Sequence, residues 1–399
     1  MLLKAKNLIT GDGETCMEDA ALRLDRKGKI EWIGSQTEAD MLYPQETVRD
    51  YKEATILPGL FDMHVHFGYY YSQPDRENYD DYMIAFYALQ QAAYSLQLGI
   101  TSIRDLSSPH NLLKQLRLAG EKGYVRVPRI THADAGICMT GGHGHEDGIE
   151  EADGPWEVRK AIRRQLRGGA DWVKILTSNR GDIPEFTQEE LDAAVDESHR
   201  RGYKTAVHAG TQPSIQMCID AGFDTIEHGT FMTVEQGRQM ARKGIAWVPT
   251  ITAYTYLYQE TKKLIDEGGD TSNPIAARAV RDQAFFEPAY RAYRDNFKKI
   301  YDTGVKVLAG SDMVLYGAPP LPIHQELAYM VEYGITPLQA IRTATLNAAE
   351  VLGKEKETGS LAPGLEGDIL VVEGNAARDI KALDQVIEVF LAGETVFSK

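Results

Sequence analysis

Residues 57–68 read LPGLFDMHVHFG. Pro58 and Gly59 punctuate the chain, and the run LFDMHVHF (60–67) that follows predicts a short buried β-strand. Side chains alternate along a strand, so His64 and His66, two residues apart, share one face and can converge on one metal ion. An H-x-H pair taken alone also fits two surface histidines on a loop, so its surroundings decide.

Upstream, residues 1–56 are short β-type segments such as ALRLD and KIEWIG, broken by GDGE, RKG and GSQ. The last residues, 357–399, read alike: GDILVVEGN, VIEVFLAG and ETVF are short strands between turns. Two such ends around one middle block predict a composite terminal domain. The middle, residues 57–356, alternates apolar strands with helical patterns. After 60–67 come TSIRDL (101–106), RITHADAGI (129–137), DWVKILTS (171–178), KTAVHA (204–209), DTIEHG (224–229), IAWVPTI (245–251) and VKVLAGSD (305–312). Between them lie helices such as TQEELDAAVDESHRRG, with Thr187 as its cap and Gly202 as its stop. Eight βα units in this length fit a closed (β/α)8 barrel of α/β class, whose active site lies at the C-terminal strand ends. An open doubly wound sheet lacks its signature, because no G-x-G-x-x-G follows the first strand.

Composition narrows the function. With 43 basic against 58 acidic residues, the formal net charge of −15 repels phosphate backbones and anionic membrane surfaces. No nucleic-acid or membrane partner is expected. Cys16, Cys138 and Cys218 are odd in number and without C-x-x-C spacing, which excludes a disulfide framework and a zinc ribbon. The opening MLLKAKNLIT, interrupted by Lys4 and Lys6, forms no signal-peptide core, and a cytoplasmic protein is expected.

The chemistry gathers at the expected strand ends. His208 ends the fifth strand and His228 the sixth, so three strands deliver histidines to one mouth. Lys174 sits between Trp172 and Leu176 on an apolar strand, where burial lowers an amine's pKa. A neutral lysine can add carbon dioxide, and the resulting carbamate can bridge two divalent ions. Asp312 closes VLAGSD on the last strand, placed to ligate a metal and to shuttle a proton.

Together, the H-x-H in LPGLFDMHVHFG, Lys174 in GADWVKIL, His208 in AVHAG, His228 in IEHGT, Asp312 in LAGSD and the tail ATLNAAEVLG with GSLAPGLEGDILVV resemble the amidohydrolase superfamily. The likeness runs over nearly the whole chain. It implies a distorted (β/α)8 TIM barrel with a small β-sandwich built from both termini, and a binuclear metal centre at the mouth. His64, His66 and Asp312 are implied to hold one ion and His208 and His228 the other. Carboxylated Lys174 and a hydroxide would bridge them, and Asp312 would carry the proton during hydrolysis of an amide C–N bond. Zinc suits the nitrogen-rich ligands, with manganese and cobalt compatible. Relatives are commonly homo-oligomers.

The branch resembled is that of prolidase-like and imidazolonepropionase-like hydrolases. The loop AGICMTGGHGH places His143, the better match to the family's GGH pattern, and His145 above the site. Peptidase relatives often carry a glycine pair after the bridging lysine, where this chain has TSNRGD; Arg180 there fits a substrate carboxylate or a loop anchor equally. Phe231 stands where such relatives often have a tyrosine, and Tyr254, on the expected loop after strand seven, is a candidate substitute. FGYYYSQPDRENYDDY (67–82) fits a pocket lining or a packing segment, and 254–297 reads as an extended insertion over the site. The leading expectation is hydrolysis of a dipeptide or N-acyl amino acid. Opening of a cyclic amide or imidazolone ring is the enzymatic alternative. An inactive scaffold would bury all six ligand-type residues without an ion to satisfy them.

Overall fold

Both ends of the chain contribute to one sheet. Its strands are β1 (Leu2–Ile9), β2 (Cys16–Leu24), β3 (Ile30–Ser35), β4 (Val48–Asp50) and β5 (Thr55–Pro58) from the start, and three strands from the end. In a computed structural model that describes residues 1–69, 80–108, 111–145, 148–178, 183–269, 274–312 and 323–399, without the side chains of 274–279 and 281, the middle strands come next. These are β6 (Leu60–Val65), β7 (Ile100–Asp105), β8 (Arg129–His132), β9 (Ile137–Cys138), β10 (Glu150–Glu151), β11 (Trp172–Leu176), β12 (Lys204–Ala209), β13 (Thr225–His228) and β14 (Ala246–Val248). The end supplies β15 (Ile369–Val372), β16 (Val386–Leu391) and β17 (Glu394–Ser398).

The terminal sheet is continuous and mixed, in the order β17-β16-β15-β5-β1-β2-β3, with β4 beside the start of β1. β15 shows why both ends are needed. Ile369 and Val371 enter a core with Leu8, Leu22, Ile56 and Phe390, while Leu370 and Val372 join the main core of the molecule. A strand buried on both faces reads as the unbroken apolar run ILVV.

The middle strands run parallel in two groups, β6-β7-β8 and β10-β9-β11-β12-β13-β14. Two expected strands differ. RITHADAGI breaks into β8 and β9, because Asp134 takes a left-handed backbone (φ 53°) and Gly136 N–H turns to the Ser107 hydroxyl. The segment 305–312 forms no strand, only a parallel bridge between Val307 and Trp247. The reason is a contact remote in sequence: Ser311 N–H bonds the Asp62 carboxylate instead of a backbone carbonyl of a neighbouring strand, and Asp312 turns to φ 52°. The segment still joins its neighbours through Leu308 N–H to the Trp247 carbonyl (2.8 Å) and Met63 N–H to the Ala309 carbonyl (2.9 Å). On the far side, Asp171 N–H reaches the His132 carbonyl at 2.8 Å. Ladder pairing among the described residues does not itself form a closed ring.

Helices cover the parallel strands. Gln188–His199 starts as expected at Thr187, in a capping box with Glu190, and Gly202 (φ 79°) follows its end. The expected insertion 254–297 falls largely in two packed helices, Ile251–Asp266 and Pro274–Tyr301. Tyr254 is therefore on a helix and not on a loop. Its ring meets Tyr293 at 5.6 Å, and Tyr258 stacks on Tyr290 at 4.6 Å. Aromatic residues at helical spacing, masked in the sequence by the charges between them, drive that packing. Among the described residues no helix is long and apolar enough to cross a membrane.

Candidate functional site

Four histidines and an aspartate meet at one end of the parallel strands. On β6 the pairing with β7 slips between Asp62 and Val65, and this irregularity re-aims the side chains that follow. His64 is fully buried. The facing segment comes close enough only because residue 310 is glycine: a Cβ there would lie 2.8 Å from the His64 Cβ and 2.6 Å from Val248 Cγ1. Asp312 N–H then bonds the His64 carbonyl at 2.8 Å.

His228 ends β13 in the left-handed region (φ 65°). Its carbonyl accepts from the Trp247 indole at 2.8 Å and lies 3.1 Å from the Tyr293 hydroxyl. His208 stands on β12 opposite Leu176 and Glu227. Its ring is 4.5 Å from that of His228 and stacks at 4.2 Å on His143, whose backbone N–H is anchored by Glu185. Lys174 lies mid-strand on β11, 1% exposed. Burial pushes its amine down to about 8, against the opposing pull of Glu227 and Asp312.

The hydrogen bonds define what the rings offer. Carboxylates and carbonyls only accept. His64 Nδ1 is 2.8 Å from Glu227 Oε2, and His66 Nδ1 is 3.2 Å from the Ser107 carbonyl, so both rings carry their proton on Nδ1. His228 Nδ1 meets the Thr250 hydroxyl at 2.7 Å, and that hydroxyl gives its own proton to the Pro249 carbonyl. The Nε2 lone pairs of His64 and His66 then face each other at 3.2 Å, with Asp312 Oδ1 at 3.7 and 3.4 Å from them. Acceptors crowded on acceptors repel unless a metal ion or a proton lies among them. Protonating the rings is no remedy for His64 or His228, because burial holds His64 well below its ordinary pKa and lowers His228 to about 3. His64, His228 and Asp312 offer ligand atoms within 4.8 Å of one another. A set of imidazole nitrogens with one carboxylate fits a divalent metal of the zinc type.

Sequence reasoning overlooked the residues beneath this cluster. Glu227, fully buried, bonds His64 and also Arg104 (Nη2 to Oε1, 2.9 Å), and Arg104 itself is 0% exposed. Asp62 accepts from the backbone N–H groups of His64 (3.3 Å) and Ser311 (2.9 Å). The available signal was a charge inside an apolar strand, as in TSIRDL and TIEH. Of the expected substrate contacts, His143 lies over His208, and Tyr254 is edge-on to His228 at 5.6 Å. Phe231 packs on Phe285 at 6.0 Å. Arg180 and most of 67–82 lie outside the described residues.

Known proteins resemble this chain in sequence and in overall structure. An ochratoxinase of Aspergillus niger is 30% identical over 427 aligned positions, 96% of this chain and 83% of that protein. Its crystal structure matches with a TM-score of 0.83, covering 100% of this chain and 95% of that one at 26% identity. A Xaa-Pro dipeptidase, solved with methionine bound in its active site, is 31% identical with a TM-score of 0.86, over 100% of this chain and 99% of that one. The sequence profile of the amidohydrolase family matches residues 55–396. By sequence profile, by overall structure and by the histidine–aspartate cluster, the chain belongs to the amidohydrolase family, in its prolidase-like branch.

Proposed function

We propose that this chain is a binuclear metal-dependent hydrolase that cleaves the amide bond of a dipeptide or an N-acyl amino acid. The observation that carries the reading is the apposed pair of Nε2 lone pairs on His64 and His66 beside Asp312. His64, His66 and Asp312 would hold one ion and His208 and His228 the second, with Lys174, carboxylated by carbon dioxide, between them. When bound, two divalent ions, zinc by ligand type, supply Lewis acidity to the amide carbonyl and to the attacking water. Asp312 accepts the proton of that water as the C–O bond forms and delivers it to the leaving nitrogen as the C–N bond breaks. His143, over His208, orients the carboxylate on the leaving side, and Tyr254 lines the carbonyl side.

On this reading residues 57–356 form one distorted (β/α)8 barrel. The hydrogen bonds of 305–312 to β14 and β6, and of Asp171 to His132, support its closure. Residues 1–56 and 357–399 form the small β-sandwich domain, supported by a separate apolar core. The likeness to a Xaa-Pro dipeptidase favours an amide with a carboxylate beside the leaving nitrogen.

The test is amine release from a panel of dipeptides and N-acyl amino acids, by enzyme loaded with zinc, manganese or cobalt in bicarbonate buffer. Turnover restricted to one C-terminal residue class supports the proposal. Silence from protein carrying two metals per chain rejects it in favour of ring opening of cyclic amides.

A further inference from the structure

Glu227 stands one residue before His228, yet it serves the opposite wall of the site. Its Oε2 accepts from His64 Nδ1 at 2.8 Å. Its Oε1 accepts from Arg104 Nη2 at 2.9 Å and from the Thr225 hydroxyl. Arg104 donates further to the Met63 carbonyl (2.8 Å) and to Thr225 Oγ1 (3.1 Å), and its guanidinium carbon lies 4.6 Å from the centre of the Trp172 ring. Arg104 and Glu227 are both fully buried, so the pair is a fixed array and not a mobile surface ion pair.

Resting on the metal-site reading above, we infer that Glu227 is a positioning residue that sets the tautomer of His64, with Arg104 and Thr225 reserving one carboxylate oxygen for the imidazole. The His64 Nε2 lone pair is thereby aimed at the centre before any ion arrives. The two oxygens of Glu227 are not interchangeable, because Oε1 already takes two donors. An amide at this position has one acceptor only. Arg104 and Thr225 would claim it and turn the NH2 group toward His64 Nδ1. That nitrogen must then accept, the ring proton moves to Nε2, and the lone pair is lost from the centre. An isosteric change therefore inverts the ring, whereas removing Arg104 as well lets the amide oxygen return to His64 and its NH2 group turn to Thr225 Oγ1.

The experiment is 15N NMR of the histidines in the metal-free full chain, with the His64 signal identified by its loss in His64→Asn, together with zinc affinity by chelator competition. In the wild type the His64 proton is expected on Nδ1. In Glu227→Gln it is expected on Nε2, with zinc bound about 10- to 100-fold more weakly. The double variant Arg104→Met/Glu227→Gln should return the proton to Nδ1 and recover at least tenfold of the lost affinity. A wild-type proton on Nε2 overturns the inference. So does a single variant that keeps both tautomer and affinity. If Glu227→Gln does not fold, the wild type and the double variant decide: His64 protonated on Nε2 in either one overturns the inference. Wild-type protein that binds no zinc would instead reject the metal-site reading and leave the tautomer measurement standing.

Discussion

Asp62 holds Ser311 twice, accepting its backbone N–H at 2.9 Å and its hydroxyl. The same carboxylate takes the His64 N–H at 3.3 Å, so one buried side chain ties the first parallel strand to the residue before Asp312. Asp312 has a left-handed backbone (φ 52°), which persists only where the surroundings fix it. Asp62→Ala is expected to cost about 1–3 kcal/mol, by leaving the buried Ser311 donors unpaired. Turnover should fall more in Asp62→Ala than in Asp62→Asn, which keeps an acceptor for both backbone donors. Denaturant unfolding and steady-state kinetics of the two variants check this, and equal loss in both contradicts it.

Gly310→Ala should damage the centre without touching a ligand. Its Cβ would lie 3.0 Å from the His64 backbone N and 2.6 Å from Val248 Cγ1, and backbone cannot swing aside as a side chain can. Overpacking of this kind costs about 1–3 kcal/mol. Metal content per chain should fall with it, read by elemental analysis after dialysis against zinc. Full occupancy at wild-type stability would show that the segment relaxes freely.

Within the cluster, two substitutions should separate proton transfer from metal retention. Asp312→Asn keeps one oxygen ligand but cannot take a proton, so turnover should drop by roughly two orders of magnitude or more while much of the metal stays. Lys174→Ala removes the lysine proposed to lie between two ions and should lower occupancy toward one ion per chain. Chelation of the wild type should abolish hydrolysis, and zinc with bicarbonate should restore it. Wild-type-like turnover in either variant refutes the assigned roles.

Away from the site, Glu197 is fully buried and accepts from Arg163 through both oxygens (2.8 Å each), from Arg201 at 2.7 Å and from Arg200. It thereby joins the helix Gly154–Gly168 to the helix Gln188–His199. The Arg163 hydrogen bonds, aided by Arg201 and Arg200 and opposed by burial, hold its carboxyl well below the ordinary range. A carboxylate whose pKa is lowered by folding stabilises above its unfolded value near about 4.3, and that stability is lost as pH falls below it. Glu197→Gln should therefore destabilise at pH 7 by about 1–3 kcal/mol, and its deficit against wild type should shrink as pH falls below about 4. Unfolding free energies at pH 7 and in acid measure both, and a deficit independent of pH counts against the ion cluster.

The terminal sheet and the alternating middle were legible because each rests on local pattern: the unbroken apolar run ILVV, turn residues between strands, a capping box at Thr187. So were the histidines of the cluster, since histidines near strand ends are few and chemically distinctive. The helices Ile251–Asp266 and Pro274–Tyr301 were not, because the charges between their aromatic residues hide the stripe along which the two pack. The eighth strand was misread for a related reason: its ladder partner is the Asp62 side chain, distant in sequence.

The sequence by itself determined which residues are candidates for the site and the order in which the chain brings them there. The tertiary structure decided which way they point. Period-two alternation lets Glu227 or His228 face the interior from β13, but not both. Both contribute because His228 is turned to φ 65°, its carbonyl held by the Trp247 indole and lying near the Tyr293 hydroxyl. A left-handed backbone at a non-glycine residue is unfavourable on its own, so only contacts from remote parts of the chain can select it.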